Sequence, residues 1–162
     1  MEKKNDNSGF TLIEMLVVVL IIGILAAVAL PQYKKVVLKS KFATVKQNVK
    51  TLVKSMERYY LVNNVYPLNL SDLDVEISPA KDTRYYINGE NIGGYITNKG
   101  KITLNYYAYG YSYSNRALCI AYEGPDSGNS EGMRLLVAQI CQQETGKTTP
   151  GSTNNTYSNY VY

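Results

Sequence analysis

An apolar run from Phe10 to Leu30, 21 residues carrying the single charge Glu14, constrains this chain more than any other feature. At about 1.5 Å per residue, a helix of that length reaches roughly 31 Å, the thickness of a bilayer's hydrocarbon core. The run therefore predicts a membrane-spanning helix. Its flanks do not fit a cleaved secretory signal, which places small residues after the apolar stretch. Here the small pair Ser8-Gly9 precedes the run, and Pro31-Gln32-Tyr33 follows it. The polar leader, Met1 to Gly9, is short.

Glu14 is the second constraint. A carboxyl inside a membrane helix costs about 3 kcal/mol unless it lies near an end or finds a partner. A cut between Gly9 and Phe10 would create an ammonium four residues before Glu14. Offered to the Glu14 of a neighbouring copy, that charge would neutralise both groups in a low dielectric. A lone carboxyl snorkelling to the interface fits the residues equally well. The basic residues pull the other way on topology. Lys34, Lys35, Lys39 and Lys41 follow the run, against Lys3 and Lys4 before it. Counted alone, they would keep the C-terminal part in the cytoplasm.

Composition narrows the chemistry. Among 162 residues, 17 are basic and 13 acidic, and a net charge of +4 is too weak and dispersed to make nucleic acid the main partner. The chain has no His, so it lacks the commonest general base and metal ligand, and no Ser-His-Asp triad can form. No catalytic residue, cofactor or metal is expected. Asp126, Asn129 and Glu131 miss the spacing of a calcium loop and read as turn residues. The two cysteines, Cys119 and Cys141, can make one bridge if the domain is exported.

The residues Gly9-Phe10-Thr11-Leu12-Ile13-Glu14 and the apolar run after them resemble the leader and N-terminus of type IV prepilins and pseudopilins. Ile22-Gly23-Ile24-Leu25-Ala26-Ala27-Val28-Ala29-Leu30-Pro31-Gln32-Tyr33 continues that resemblance, which covers about 25 contiguous positions. By resemblance, Gly9 precedes a bond cut by a membrane prepilin peptidase, and Phe10 becomes an N-methylated terminus. Glu14 pairs with a neighbour's N-terminus, while Gly23 and Pro31 mark where the helix can loosen in a filament. The leader departs from the pattern: it is near neutral where the family's is basic. The resemblance implies a homo-oligomeric helical filament built from an inner-membrane precursor by an assembly platform, with the C-terminal domain periplasmic. The products it allows are a surface pilus, a type II secretion pseudopilus, or a minor pilin that binds DNA or a surface ligand. Pro31-Gln32-Tyr33 favours the pilus.

The rest of the chain fits an α+β fold. Leu38, Phe42, Val45, Val49, Leu52, Met56 and Tyr59 recur at helical spacing, with lysines on the other faces. One helix is expected from residue 10 to 62, with 10–30 spanning the membrane, a kink at Pro31, and a stop at Asn63-Asn64 and Pro67. The globular head would take residues 63–143. A loop over 66–83 is expected, tacked down by Leu68, Leu70 and Leu73. Three or four antiparallel strands are expected from five candidate segments: Arg84–Asn88, a weak one at Tyr95–Thr97, Ile102–Tyr113, Ala117–Glu123 and Met133–Ile140. The tyrosines from Tyr106 to Tyr113 read as cross-strand packing, with a sugar- or nucleic-acid-binding face as the alternative. A Cys119–Cys141 bridge would close a 23-residue loop around the last hairpin, contributing about 3 kcal/mol, and it resembles the disulfide-bounded region of many pilins. Residues 144–162, rich in Thr, Ser, Asn and Gly, read as a mostly flexible tail with its tyrosines as pins.

Overall fold

A computed structural model of the chain describes residues 9–89, 91–108 and 117–162. Helix α1 runs from Leu12 to Asn63 with Pro31 inside it. Six strands follow: β1 (Thr83–Asn88), β2 (Asn91–Asn98), β3 (Lys101–Ala108), β4 (Ala117–Ala121), β5 (Ser152–Thr153) and β6 (Ser158–Val161). Helix α2 (Glu131–Thr145) lies between β4 and β5 in sequence. The strands form one sheet in the order β1-β2-β3-β4-β6-β5, every pair antiparallel. The α+β class is as expected, with six strands rather than three or four. The chain divides into two compact units, Met1–Val37 and Leu38–Tyr162, so the boundary falls within α1.

In the second unit the helical stripe does what its spacing requires. Phe42, Val45, Val49, Leu52 and Met56 are buried, and Leu38 packs at the margin. They meet Ile92, Ile96, Leu104, Tyr106, Cys119, Ala121 and Tyr160 of the sheet in one core. Register explains which strand residues point inward. Tyr85, Gly94, Tyr106, Cys119 and Tyr160 stand opposite one another across five strands. Alternation then sends Tyr86, Gly93 and Tyr107 to the other face. A side chain at Gly94 would lie 2.8 Å from both the Tyr85 ring and Val45, and one at Gly93 would strike the Tyr86 ring. The glycine pair thus makes room for a tyrosine on each face of the sheet.

The sequence expectations need several corrections. Residues 133–140 are helical, within α2, and not a strand. Val137, Ile140 and Cys141 are buried at helical spacing, the flanking Met, Leu, Ala and Gln are good helix formers, and Gly146 closes the helix in the left-handed region at φ 70°. The strand beside β4 is β6, from the supposed tail, and its Tyr160 is 2% exposed. The segment expected to be flexible is also pinned at 154–156. The Gly124 and Asp126 amides donate to the Thr156 and Asn155 carbonyls at 3.1 and 3.2 Å. β2 is eight residues long, not three. Leu70 and Leu73 pack on the core, but Leu68 is 78% exposed, so it does not tack the loop. The expected strand to Tyr113 is described only as far as Ala108; Tyr109 to Tyr113 lie outside the described residues.

Candidate assembly interface

The N-terminal unit builds its first turn from the motif's own polar residues. Thr11 precedes α1, and its side-chain oxygen accepts from the Glu14 amide at 3.3 Å. The Glu14 carboxylate accepts in return from the Thr11 amide at 2.8 Å and the Thr11 hydroxyl at 2.7 Å, both at Oε2. This is a reciprocal capping box, which satisfies donors that a helix start leaves unpaired. The spacing Thr-x-x-Glu is the sequence signal for it. It gives Glu14 a role within its own subunit that sequence reasoning missed.

The next five turns bury nothing. Leu12, Ile13, Leu16, Val19, Ile22, Ile24, Leu25 and Val28 are all exposed. By length and composition α1 can cross a membrane, and none of its most apolar window is buried. At Gly23 an added Cβ would meet nothing within 4 Å, so no contact inside the subunit requires glycine there. Pro31 sits within the helix, where it removes one backbone donor. Gly9 and Phe10 precede the helix and are exposed. The structure therefore gathers Phe10, Thr11 and Glu14 at one helix end and leaves Gly23 and Pro31 along an unpartnered apolar surface.

The other expected site residues sit in the second unit. Cys119 and Cys141 are bonded, joining β4 to α2 instead of enclosing a hairpin. Asn129, weighed as a calcium ligand, donates through Nδ2 to the Ile102 and Tyr122 carbonyls at 3.1 and 3.0 Å, which makes it a strut between strand and turn. Among the described residues, no group of three or more His, Cys, Asp or Glu could hold a metal ion. On the outer sheet face, Tyr86 lies 5.9 Å from Tyr95 and 6.3 Å from Tyr107, ring centre to ring centre. Its hydroxyl accepts from Asn105 Nδ2 at 3.0 Å. Burial pushes the Tyr86 hydroxyl up to about 12, partly offset by the Asn105 hydrogen bond.

Ion pairs across long sequence distances were not legible beforehand. Lys46 and Lys39 both reach Glu144 of α2, the latter at 4.0 Å, and Lys41 pairs with Asp82. Two of the four lysines that weigh against export are thus structural partners of acidic residues in the second unit. Tyr162 lies edge-on to Tyr106 at 5.5 Å, with the Lys46 ammonium 5.2 Å above its ring. Arg58 holds Asp74 at 2.7 and 2.8 Å, and Ser55 also donates to that carboxylate.

Residues 4–30 match the family model of the prokaryotic N-terminal methylation motif. The chain is 41% identical over 81 residues to the type IV major pilin protein PilA of Myxococcus xanthus, covering 49% of this chain and 35% of that protein. It is 38% identical over 72 residues to the type II secretion system core protein G of Pseudomonas aeruginosa, covering 44% of this chain and 51% of that protein. A fimbrial protein of Neisseria meningitidis is 33% identical over 89 residues, 55% of this chain and 52% of the relative. The chain thus spans from about a third to about half the length of these relatives.

Proposed function

We propose, for a chain that belongs to the type IV pilin and pseudopilin family, that it is a non-enzymic filament subunit, cut after Gly9 and polymerised through α1. One observation carries this reading. The apolar residues from Leu12 to Val28 find no partner within the subunit, and a capped helix start presents them intact. In a bilayer lipid covers such a surface; in a filament the same helix from other copies would replace the lipid.

Each N-terminal residue then has a chemical task. Prepilin peptidase would cut between Gly9 and Phe10, and Phe10 would carry the methylated amino group. The Glu14 carboxylate already receives two hydrogen bonds from Thr11 at Oε2. A neighbour's ammonium, approaching Oε1, would complete its neutralisation and fix the stagger of adjacent helices. Gly23 and Pro31 would let the helix yield as subunits leave the membrane. An uncut precursor would sit in the inner membrane as a single span with residues 38–162 in the periplasm, served by the peptidase and an assembly platform.

The products to separate are a surface pilus and a periplasmic pseudopilus; relatives in both groups support the shared mechanism. Pro31-Gln32-Tyr33 favours the pilus. The deciding measurement is the mass of the N-terminal peptide in sheared and membrane fractions of host cells. A methylated Phe10 terminus in sheared material is expected, and its restriction to membranes would favour the pseudopilus. Intact Met1 in every fraction would overturn the reading. Glu14→Ala should leave cutting intact and abolish filaments.

A further inference from the structure

Asn88-Gly89 is the single Asn-Gly step in the sequence. It ends the ladder of β1 and β2: Asn88 stands opposite Asn91 in the last pair, and Gly89 follows at φ 62°. Both Asn88 and Gly89 are exposed. Asn91 donates through Nδ2 to the Asn88 carbonyl at 3.4 Å, while among the described residues no hydrogen bond holds the Asn88 side-chain amide. A Cβ built on Gly89 meets nothing within 4 Å, so the space beside this backbone amide is open. Other asparagines lack the combination. Asn64, Asn69 and Asn98 are exposed but precede Val65, Leu70 and Lys99, whose side chains hinder approach to the following amide nitrogen. Asn129, before Ser130, spends its Nδ2 on two carbonyls.

An exposed, unbonded carboxamide beside an unhindered amide nitrogen is a reactive pair. Glycine leaves its backbone free to turn that nitrogen toward the side chain, and only the terminal pair of the ladder must loosen. We propose that Asn88-Gly89 is a self-modification site, at which the chain converts its own carboxamide to a carboxylate. The Gly89 nitrogen attacks Asn88 Cγ. The N–Cγ bond forms, the Cγ–Nδ2 bond breaks, the amide proton passes to the leaving nitrogen, and ammonia departs. Water, the co-reactant, then opens the succinimide ring. Attack at Cγ gives aspartate with an ordinary backbone. Attack at the Asn88 backbone carbonyl carbon gives isoaspartate, in which the main chain runs through Cγ. Either product places a new carboxylate at the end of the β1–β2 hairpin and lowers the formal net charge of +4 by one. The pairs from Thr83↔Ile96 to Ile87↔Ile92 lie outside the reacting step, so the sheet keeps its register. The conversion is one-way in water and needs neither an enzyme nor assembly. It therefore records the age of a subunit and stands apart from the filament reading.

The test incubates the folded full chain in detergent at neutral pH, in water enriched in heavy oxygen, and then digests it in ordinary water. Heavy oxygen therefore marks only conversion that took place in the intact protein. Trypsin, cutting after Arg84 and Lys99, releases one peptide that contains Asn88, Asn91 and Asn98. Mass spectrometry should find the label, with the mass gain of an amide-to-carboxylate conversion, at Asn88 and not at the other two. The labelled fraction should grow with time, and isoaspartyl methyltransferase should methylate the aged peptide. Gly89→Ala should reduce the label at Asn88 to the level at Asn98. Equal label at all three asparagines would overturn the inference, as would label at Asn88 that arises only after the chain is unfolded in denaturant. Full labelling in a Gly89→Ala chain that still folds would also reject it. Because alanine at positive φ strains the turn, the labelling pattern of the unaltered chain decides the matter if that variant does not fold.

Discussion

From Leu12 to Val28, leucines, isoleucines and valines point outward with nothing against them; from Phe42 to Met56, on the same helix, the apolar stripe is packed to 3% exposure or less. Both stretches are helical, so secondary structure does not distinguish them. The difference lies in the polar residues. The first stretch is apolar on all sides and has no polar face to give to water, so its complement must be lipid or other helices. The second alternates its stripe with lysines and threonines, so its own sheet can be its complement. One helix thus serves two environments, and its sequence changes character near Pro31.

The sharpest way to break that comparison is to remove one large side chain from each stretch. Phe42→Ala leaves a cavity where α1 meets Tyr106 and should cost the second unit about 3–5 kcal/mol. Val18→Ala, in the exposed stretch, should leave the unfolding of that unit unchanged. Denaturant titration of the full chain in detergent, followed by tyrosine fluorescence, reads both. Equal losses would mean that the apolar stretch supports the sheet and that the contrast is false.

Legibility followed the same division. The motif from Gly9 to Tyr33 is contiguous, so its reading needed no tertiary information. The α1 stripe was readable because 3.6-residue periodicity survives over several turns. α2 was misread because Met133–Ile140 is a short apolar run, where strand and helix patterns overlap, and its partner face lies elsewhere in the chain. β6 was missed because Ser, Asn and Thr around it resemble a loop, while what holds it, pairing with β4 and β5 and the burial of Ser158 and Tyr160, depends in part on residues distant in sequence. The pairs of Lys46 with Glu144 and Lys41 with Asp82 join residues 98 and 41 positions apart, and no local pattern announces them. Of the candidate assembly site, the residue identities were legible but the Thr11–Glu14 capping geometry was overlooked, although its spacing was in plain view.

The disulfide gives the next largest effect and sharpens the comparison within the second unit. It ties α2 to β4, so its removal should loosen the part of the core farthest in sequence from the apolar stretch. Cys119→Ser with Cys141→Ser should cost about 3 kcal/mol on the loop-entropy scale. Calorimetry of the full chain should show a lower melting transition, while the processing proposed at Gly9 stays unchanged. A processing defect of equal size would show that the two units are not independent in this respect.

The smallest effect is local and depends on acid. Asp74 anchors the loop before β1 to α1. The hydrogen bonds from Arg58 and then Ser55 hold its carboxyl down to about 2, below its ordinary value of 3.8. A depressed carboxylate contributes stability above its unfolded value, and that contribution disappears as pH falls through its folded one. The loop anchor should therefore persist at pH 4 and be lost on acidification through about pH 2. Because Asp74 is exposed, the effect belongs to the loop and not to global unfolding. Carboxyl NMR titration should give a midpoint near 2, and Arg58→Ala should move it back toward 3.8, with Ser55→Ala moving it less. An unshifted midpoint in Arg58→Ala would mean that Arg58 does not hold the loop.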